Sequence, residues 1–208
     1  MKYILAITIL AFPFLLFAHD SKKKISKPAK KEPTEIEWIT SFSELQSKMT
    51  QNPKKVYMDV YTDWCGWCKK MDATTFTNPN VVKYMNKNFY CVKFNAERKD
   101  TISFQDTSYF LRADCRCNAL AAKFLQGKMS YPTAVIMMEN FKNSQPIPGY
   151  LNVSQMEPIV TYIGDNVYLH DSWDNYSKTY KPTWDNGVAP DMTPPPAHGL
   201  PKTSPPGN

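Results

Sequence analysis

The run Val56-Tyr57-Met58-Asp59-Val60-Tyr61 is dense in residues that favour extended backbone, and four positions beyond it comes Cys65-Gly66-Trp67-Cys68. Residues 67–74 then suit a helix, so the chain passes from a strand into a helix with two thiols at the junction. That order calls for a layered α/β domain, because a strand with apolar residues on both faces must be covered by helices. By itself the cysteine pair has three readings: a redox centre, half of a metal site, or a disulfide that staples a loop.

The flanking segments continue the alternation. Ile36, Trp38 and Ile39 predict a short first strand, and Ser43-Glu44-Leu45 opens a helix that ends before Asn52-Pro53. Asn78-Pro79 supplies the cap and first position of another helix, with Val81, Val82, Met85 and Phe89 as its apolar face, and a strand follows over residues 90–94. This is a βαβαβ pattern with a parallel component. In residues 98–117, Ile102 and Phe104, then Tyr109 and Leu111, flank Gln105-Asp106-Thr107 as a small hairpin. A helix is expected over residues 118–125, ended by Gly127, then a strand over Thr133–Met138 after Pro132, a turn near residues 140–143 and a strand over residues 147–150. Ser154 and Glu157 match a capping box for a last helix running to Ile163, with Pro158 in its first turn.

The two ends read differently. Residues 1–18 hold Lys2, an apolar run from Ile4 to Phe17 and then Ala18, the pattern of an export signal; the run is shorter than a membrane span needs and contains Pro13. Residues 19–35 are expected to be a lysine-rich solvated spacer. Residues 1–33 carry seven lysines against Asp20 and Glu32, five of the chain's six net positive charges, so the body is almost neutral. Nucleic-acid binding is excluded, because no basic stripe with interleaved aromatics enters that body, and membrane contact is expected only for export. Residues 169–208 are expected to be a proline-rich tail; eight of the 17 prolines lie in residues 171–208, and Trp173, Tyr176, Tyr180 and Trp184 either dock on the domain or serve a partner. Export to a periplasmic or extracellular location puts the cysteines where disulfides persist.

At a helix N-terminus Cys65 meets unpaired backbone N–H groups and the positive end of the dipole, which favour its thiolate. Lys69 and Lys70 add to this, whereas Asp63 and Asp72 oppose it. Cys68, one turn on, is placed to attack a mixed disulfide formed at Cys65. Asp59 is an acid inside a β-forming run: either it points to solvent, or it lies buried beneath the cysteines, where it would have a raised pKa and exchange a proton with the second thiol, with Lys93 on the next strand as its charge partner. Cys91 reads as a small buried apolar residue.

The segment VYMDVYTDWCGWCKKMD resembles thioredoxin-like proteins, especially exported bacterial members with a DWCxxCK signature. The resemblance covers most of residues 36–163. It implies a thioredoxin fold over residues 36–168, a central mixed β-sheet flanked by helices, with residues 98–117 as an insertion before the cis-proline loop. It makes Asp59, six residues before Cys65, the buried proton acceptor, and it matches Lys93 and Pro132 to the family's lysine and cis-proline. Tyr131 and Pro132, with Trp64, Gly66 and Trp67, then form the substrate-contacting surface. The implied function is a thiol-disulfide oxidoreductase that reduces or isomerises disulfides of exported proteins. It needs no cofactor beyond the redox-active disulfide Cys65–Cys68, and its partners are disulfide-containing polypeptides and a redox partner supplying electrons. Two features depart from the family: Trp67 replaces the usual proline between the cysteines, which leaves the direction of electron flow open, and the insertion carries Asp114-Cys115-Arg116-Cys117. Cys115 and Cys117 are expected to form a local disulfide, with electron relay and free thiols as alternatives. Two other functions stay open: a metal-binding protein using Cys65, Cys68, Cys115 and Cys117, and a non-catalytic interaction module whose CxxC is inert.

Overall fold

A computed structural model describes residues 32–185. The expected export signal, all but the last four residues of the spacer, and the tail beyond Asp185 lie outside the described residues.

The buried run expected at the centre becomes the central strand. β1 (Trp38–Ile39), β2 (Lys55–Tyr61), β3 (Phe89–Asn95), β8 (Thr133–Met138) and β9 (Lys142–Pro148) form one sheet in the order β1-β3-β2-β8-β9. β1 and β2 run parallel to β3, while β8 is antiparallel to β2 and β9 to β8. Residues 55–60 of β2 are all buried, as both faces of a central strand must be when helices cover them. This is the mixed, helix-flanked sheet of a thioredoxin-like domain.

Period-two alternation divides the core. Val56, Met58 and Val60 join Phe42, Leu45, Met49, Phe94, Phe104, Leu120 and Phe124 on one face. Tyr57 joins Met71, Phe76, Val82, Met85, Cys91, Ile136, Met156 and Val160 on the other. The first layer is built by α1 (Phe42–Gln51) and α4 (Ala119–Phe124), the second by α2 (Gly66–Thr74), α3 (Pro79–Asn88) and α5 (Val153–Gly164). Asp59, in step with Tyr57, belongs to the α2 side, and the parallel register sets it directly beside Lys93.

Local chemistry accounts for the helix starts. The Ser41 hydroxyl accepts from the Glu44 N–H, and the Asn78 side chain accepts from the Asn80 and Val81 N–H groups with Pro79 at the first helical position. α5 starts differently from the expectation. Its cap is Asn152, whose side chain accepts from Gln155 N–H while the Gln155 side chain accepts from Asn152 N–H, so the reciprocal box lies two residues upstream of Ser154 and Glu157. Pro158 consequently falls in the second turn, not the first.

The insertion is partly core. β4 (Ile102–Phe104) and β5 (Thr107–Tyr109) form a hairpin whose turn residues Gln105 and Asp106 both take positive φ, as a two-residue turn matched to strand twist requires. Phe104 is 1% exposed and meets Phe42 and Phe124 edge-on at 5.6 Å. A second short ladder, β6 (Leu111–Arg112) with β7 (Cys117–Asn118), leads into α4. The last strand begins at Lys142, earlier than its polar sequence suggests, because ladder bonds to β8 outweigh the weak β preference; Pro146 and Pro148 are tolerated because β9 is an edge.

The segment read as tail is not extended throughout. α6 (Trp173–Thr179) packs its aromatics on Tyr162 of α5, with Trp173 at 5.3 Å and Tyr176 at 5.2 Å. Beyond it, the buried carboxylate of Glu157 accepts from Tyr180 Oη (2.8 Å), Thr183 N (2.8 Å), Thr183 Oγ1 (3.0 Å) and Trp184 N (2.8 Å). The aromatics to Trp184 therefore dock on the domain. No helix among the described residues is long and apolar enough to cross a membrane.

Candidate active site

The site begins where β2 runs out. Cys65 N–H donates to the Thr62 carbonyl at 3.1 Å, turning the chain, and Cys65 then caps α2. Its Sγ accepts from the Cys68 N–H at 3.0 Å. Cys65 and Cys68 are joined in a disulfide with Cα atoms 5.3 Å apart. No acidic residue occupies the first turn of α2, so nothing there offsets the positive end of the dipole. When the bond opens, the backbone donor that meets Cys65 Sγ stabilises a thiolate more than a thiol.

An ion cluster links β2, β3 and α2. Asp59 is 1% exposed; its Oδ2 accepts from Lys93 Nζ at 2.6 Å, while its Oδ1 is buried without a partner. Burial pushes the carboxyl above the ordinary range, Lys93 pulls it back only in part, and the Asp72 charge pushes it up again. With Oδ2 committed to Lys93, Oδ1 is the atom left to take a proton. Burial opposes the charge of Lys93, but Asp59 and Asp72 outweigh it and hold its pKa above the usual lysine value. The ammonium also lies 5.0 Å from the ring centre of Trp38 and 5.1 Å from those of Tyr61 and Phe76. Because Lys93 pairs with Asp72 as well, it ties the carboxyl on β2 to α2 one turn beyond Cys68.

The rim is aromatic. Trp64 is half exposed, donates its indole N–H to Glu97 Oε1 at 3.0 Å, and meets Tyr131 edge-on at 5.8 Å. The Tyr131–Pro132 peptide bond is cis. Burial, then the charge of Glu97, pushes the Tyr131 hydroxyl to about 12, so it stays neutral. Trp67 is engaged elsewhere: it packs against Tyr150 at 5.2 Å and carries Lys70 Nζ 5.4 Å above its ring. Gly66 is the first residue of α2.

The structure thus places Cys65 and Cys68 at the start of α2, joins Asp59 on β2 through Lys93 to Asp72 further along the same helix, and sets Trp64 against Tyr131, the residue before the cis Pro132. Sequence reasoning counted Asp72 only as an opponent of the thiolate and missed it as the second carboxylate on Lys93; its place four residues after Cys68, on the same helical face, was the available signal. Glu97 had none, since its link to Trp64 comes from the end of a different strand. Cys115 and Cys117 form a separate disulfide, Cα atoms 5.1 Å apart, and no group of three or more metal-ligating side chains occurs among the described residues.

The family model Thioredox_DsbH, described as a protein of unknown function, DUF255, matches residues 22–155, well over half of the chain. The chain belongs to this family. A stretch of 47 residues, 22% of the chain, is 49% identical to the thiol:disulfide interchange protein DsbD of Haemophilus ducreyi, covering 8% of that protein. The Campylobacter jejuni protein of the same name is 20% identical over 128 residues, 62% of this chain and 19% of its own length. The matches therefore span only a small part of these relatives. A thioredoxin-fold protein from Helicobacter pylori is similar in structure, with a TM-score of 0.47, 16% identity, and coverage of 68% of this chain and 82% of that one.

Proposed function

We propose that the protein is a thiol-disulfide oxidoreductase that exchanges disulfides with exported polypeptides through Cys65 and Cys68. The observation that carries this reading is the disulfide at the start of α2 backed by a buried carboxyl of raised pKa, Asp59, joined through Lys93 to the same helix. A purely structural staple has no use for a costly buried acid behind it.

In the reductive direction the Cys65 thiolate, held by the Cys68 N–H, attacks a substrate disulfide and releases one substrate thiolate. Cys68 then gives its proton to Asp59 and attacks Cys65 Sγ, so that the second substrate thiolate leaves and the Cys65–Cys68 bond re-forms. Trp64 and Tyr131 supply the apolar surface on which the chain flanking the substrate disulfide lies, and Pro132 supplies backbone beside it. Trp67 acts indirectly, by packing α2 against Tyr150. A separate redox partner returns the electrons, and the apolar run from Ile4 to Phe17 supports work outside the cytoplasm.

Trapping assays test this. Cys68→Ala should accumulate mixed disulfides with exported proteins, and Cys65→Ala should form none. Full exchange activity in both variants would sink the proposal. The reduction potential of the pair then separates a reductase, which requires a low value, from an isomerase.

A further inference from the structure

The second disulfide is an odd staple. Cross-linking lowers the entropy of the unfolded chain by an amount that grows with the loop enclosed, and a separation of two residues encloses almost none. Arg116, between the two cysteines, sits at φ +52°, in the left-handed region that side chains with a Cβ disfavour. By loop entropy the bond therefore contributes little to stability, and it spans a residue in a disfavoured conformation.

Its two sulfurs are unequal. Cys117 is fully buried and belongs to β7; the next residue, Asn118, donates its N–H to the Ala96 carbonyl at 2.7 Å and caps α4 with its side chain. Cys115 lies in the connecting turn and is only partly buried. Cys115 is thus the more accessible of the two to a thiolate from solvent, and Cys117 the better anchored.

The anchor joins the first redox centre. Ala96, which accepts from Asn118, donates its own N–H to Tyr61 O at 2.8 Å, at the end of β2 just before the CxxC turn. Its neighbours on either side hold that turn: Asn95 donates to Asp63 at 3.0 Å, and Glu97 accepts from Trp64. Both disulfides therefore sit at the same end of the sheet, joined by two successive backbone hydrogen bonds.

We propose that Cys115–Cys117 is a second redox-active disulfide, opened at the Cys115 sulfur by a thiol donor, beside the Cys65–Cys68 centre. A donor thiolate bonds to Cys115 Sγ, the bond between the two cysteines breaks, and Cys117 departs as a thiolate that takes a proton from water. A second donor thiol releases Cys115; the donor leaves as its disulfide, and the pair has gained two electrons and two protons. The inference is independent of the activity proposed for Cys65 and Cys68.

The test uses the full chain, wild type and the C65A/C68A variant, in glutathione buffers of graded ratio, with alkylation followed by peptide mass analysis of the tryptic fragments that carry Cys115 and Cys117. Near-ultraviolet circular dichroism confirms that each sample is folded. The expected result is that alkylation of both thiols rises with the reduced fraction of the buffer, with a midpoint inside the series, in the folded variant. Labelling in wild type but not in the variant would mean that no donor opens the bond directly at Cys115, and overturns the proposal. A pair that stays oxidised across the series in both proteins, and is labelled only after unfolding in guanidinium, overturns the proposal.

Discussion

Asp59 concentrates the tension between stability and activity in one side chain. Its folded pKa lies above the ordinary aspartate value of about 3.9, so the folded state binds its proton more tightly than the unfolded state does. The stability this supplies is complete below the ordinary value and is lost as pH rises through the folded one. Asn, which cannot ionise, avoids that loss. Asp59→Asn should accordingly melt higher than wild type by a margin that widens from pH 4 to pH 8; a margin independent of pH would contradict the assignment. The same variant should slow the resolving step by about 10²-fold or more, the usual size of a general-base contribution, and flatten the rise of single-turnover exchange rate with pH. Activity and stability should thus move in opposite directions at one position, as expected of the buried proton acceptor proposed above.

At the scale of elements, α5 carries more than its length suggests. It packs on the α2 face of the sheet, offers Tyr162 to the aromatics of α6, and presents Glu157 to the last described residues. Glu157→Ala leaves the Thr183 and Trp184 N–H groups without their acceptor. Charge-assisted bonds of this kind contribute about 1.5–3 kcal/mol each and are not additive, so the expected cost is on the order of 3 kcal/mol. Calorimetry should register it as a drop of roughly 6–12 °C in melting temperature. Limited proteolysis should find new cleavage in residues 180–185, because the carboxylate that accepts from Tyr180, Thr183 and Trp184 is then gone. Unchanged melting and cleavage would mean that the segment is held without the Glu157 carboxylate.

For the molecule as a whole, Cys91 is a built-in reporter. It is the free cysteine of the described residues, 2% exposed in the core beneath α3, and burial pushes its thiol up to about 12. A thiol so placed is almost entirely protonated at pH 8 and out of reach, so alkylation requires the sheet to open. Its labelling rate in the oxidised protein should track global unfolding across a denaturant series, with no reaction from the folded state. Fast labelling in native buffer would show local opening at the β1–β3 edge instead.

The cysteine pair, the strand before it and the acid Asp59 with Lys93 on the next strand were legible from residue types, because alternation and capping act over a few positions and leave a local trace. The hairpin turn at Gln105 and Asp106 was legible for the same reason, whereas the cis bond at Pro132 was expected only from the family resemblance. The α5 cap was misplaced by two residues because Asn152 with Gln155 competes with Ser154 and Glu157 for one role, and only the direction of the incoming chain chooses between them. β9 was cut short because its residues have little β preference of their own, and pairing with β8 supplies what they lack. The amino-acid sequence by itself determined the alternation of strands and helices through the central domain and the chemistry of the cysteine pair, but not α6 or the β6–β7 ladder. The tertiary structure alone decided that Lys93 lies between two carboxylates, that Glu97 holds Trp64, that Glu157 fastens the residues around Trp184, and that both disulfides stand at one end of the sheet. Those are contacts between residues 15 or more positions apart, set by which strand lies beside which, and no local pattern encodes that.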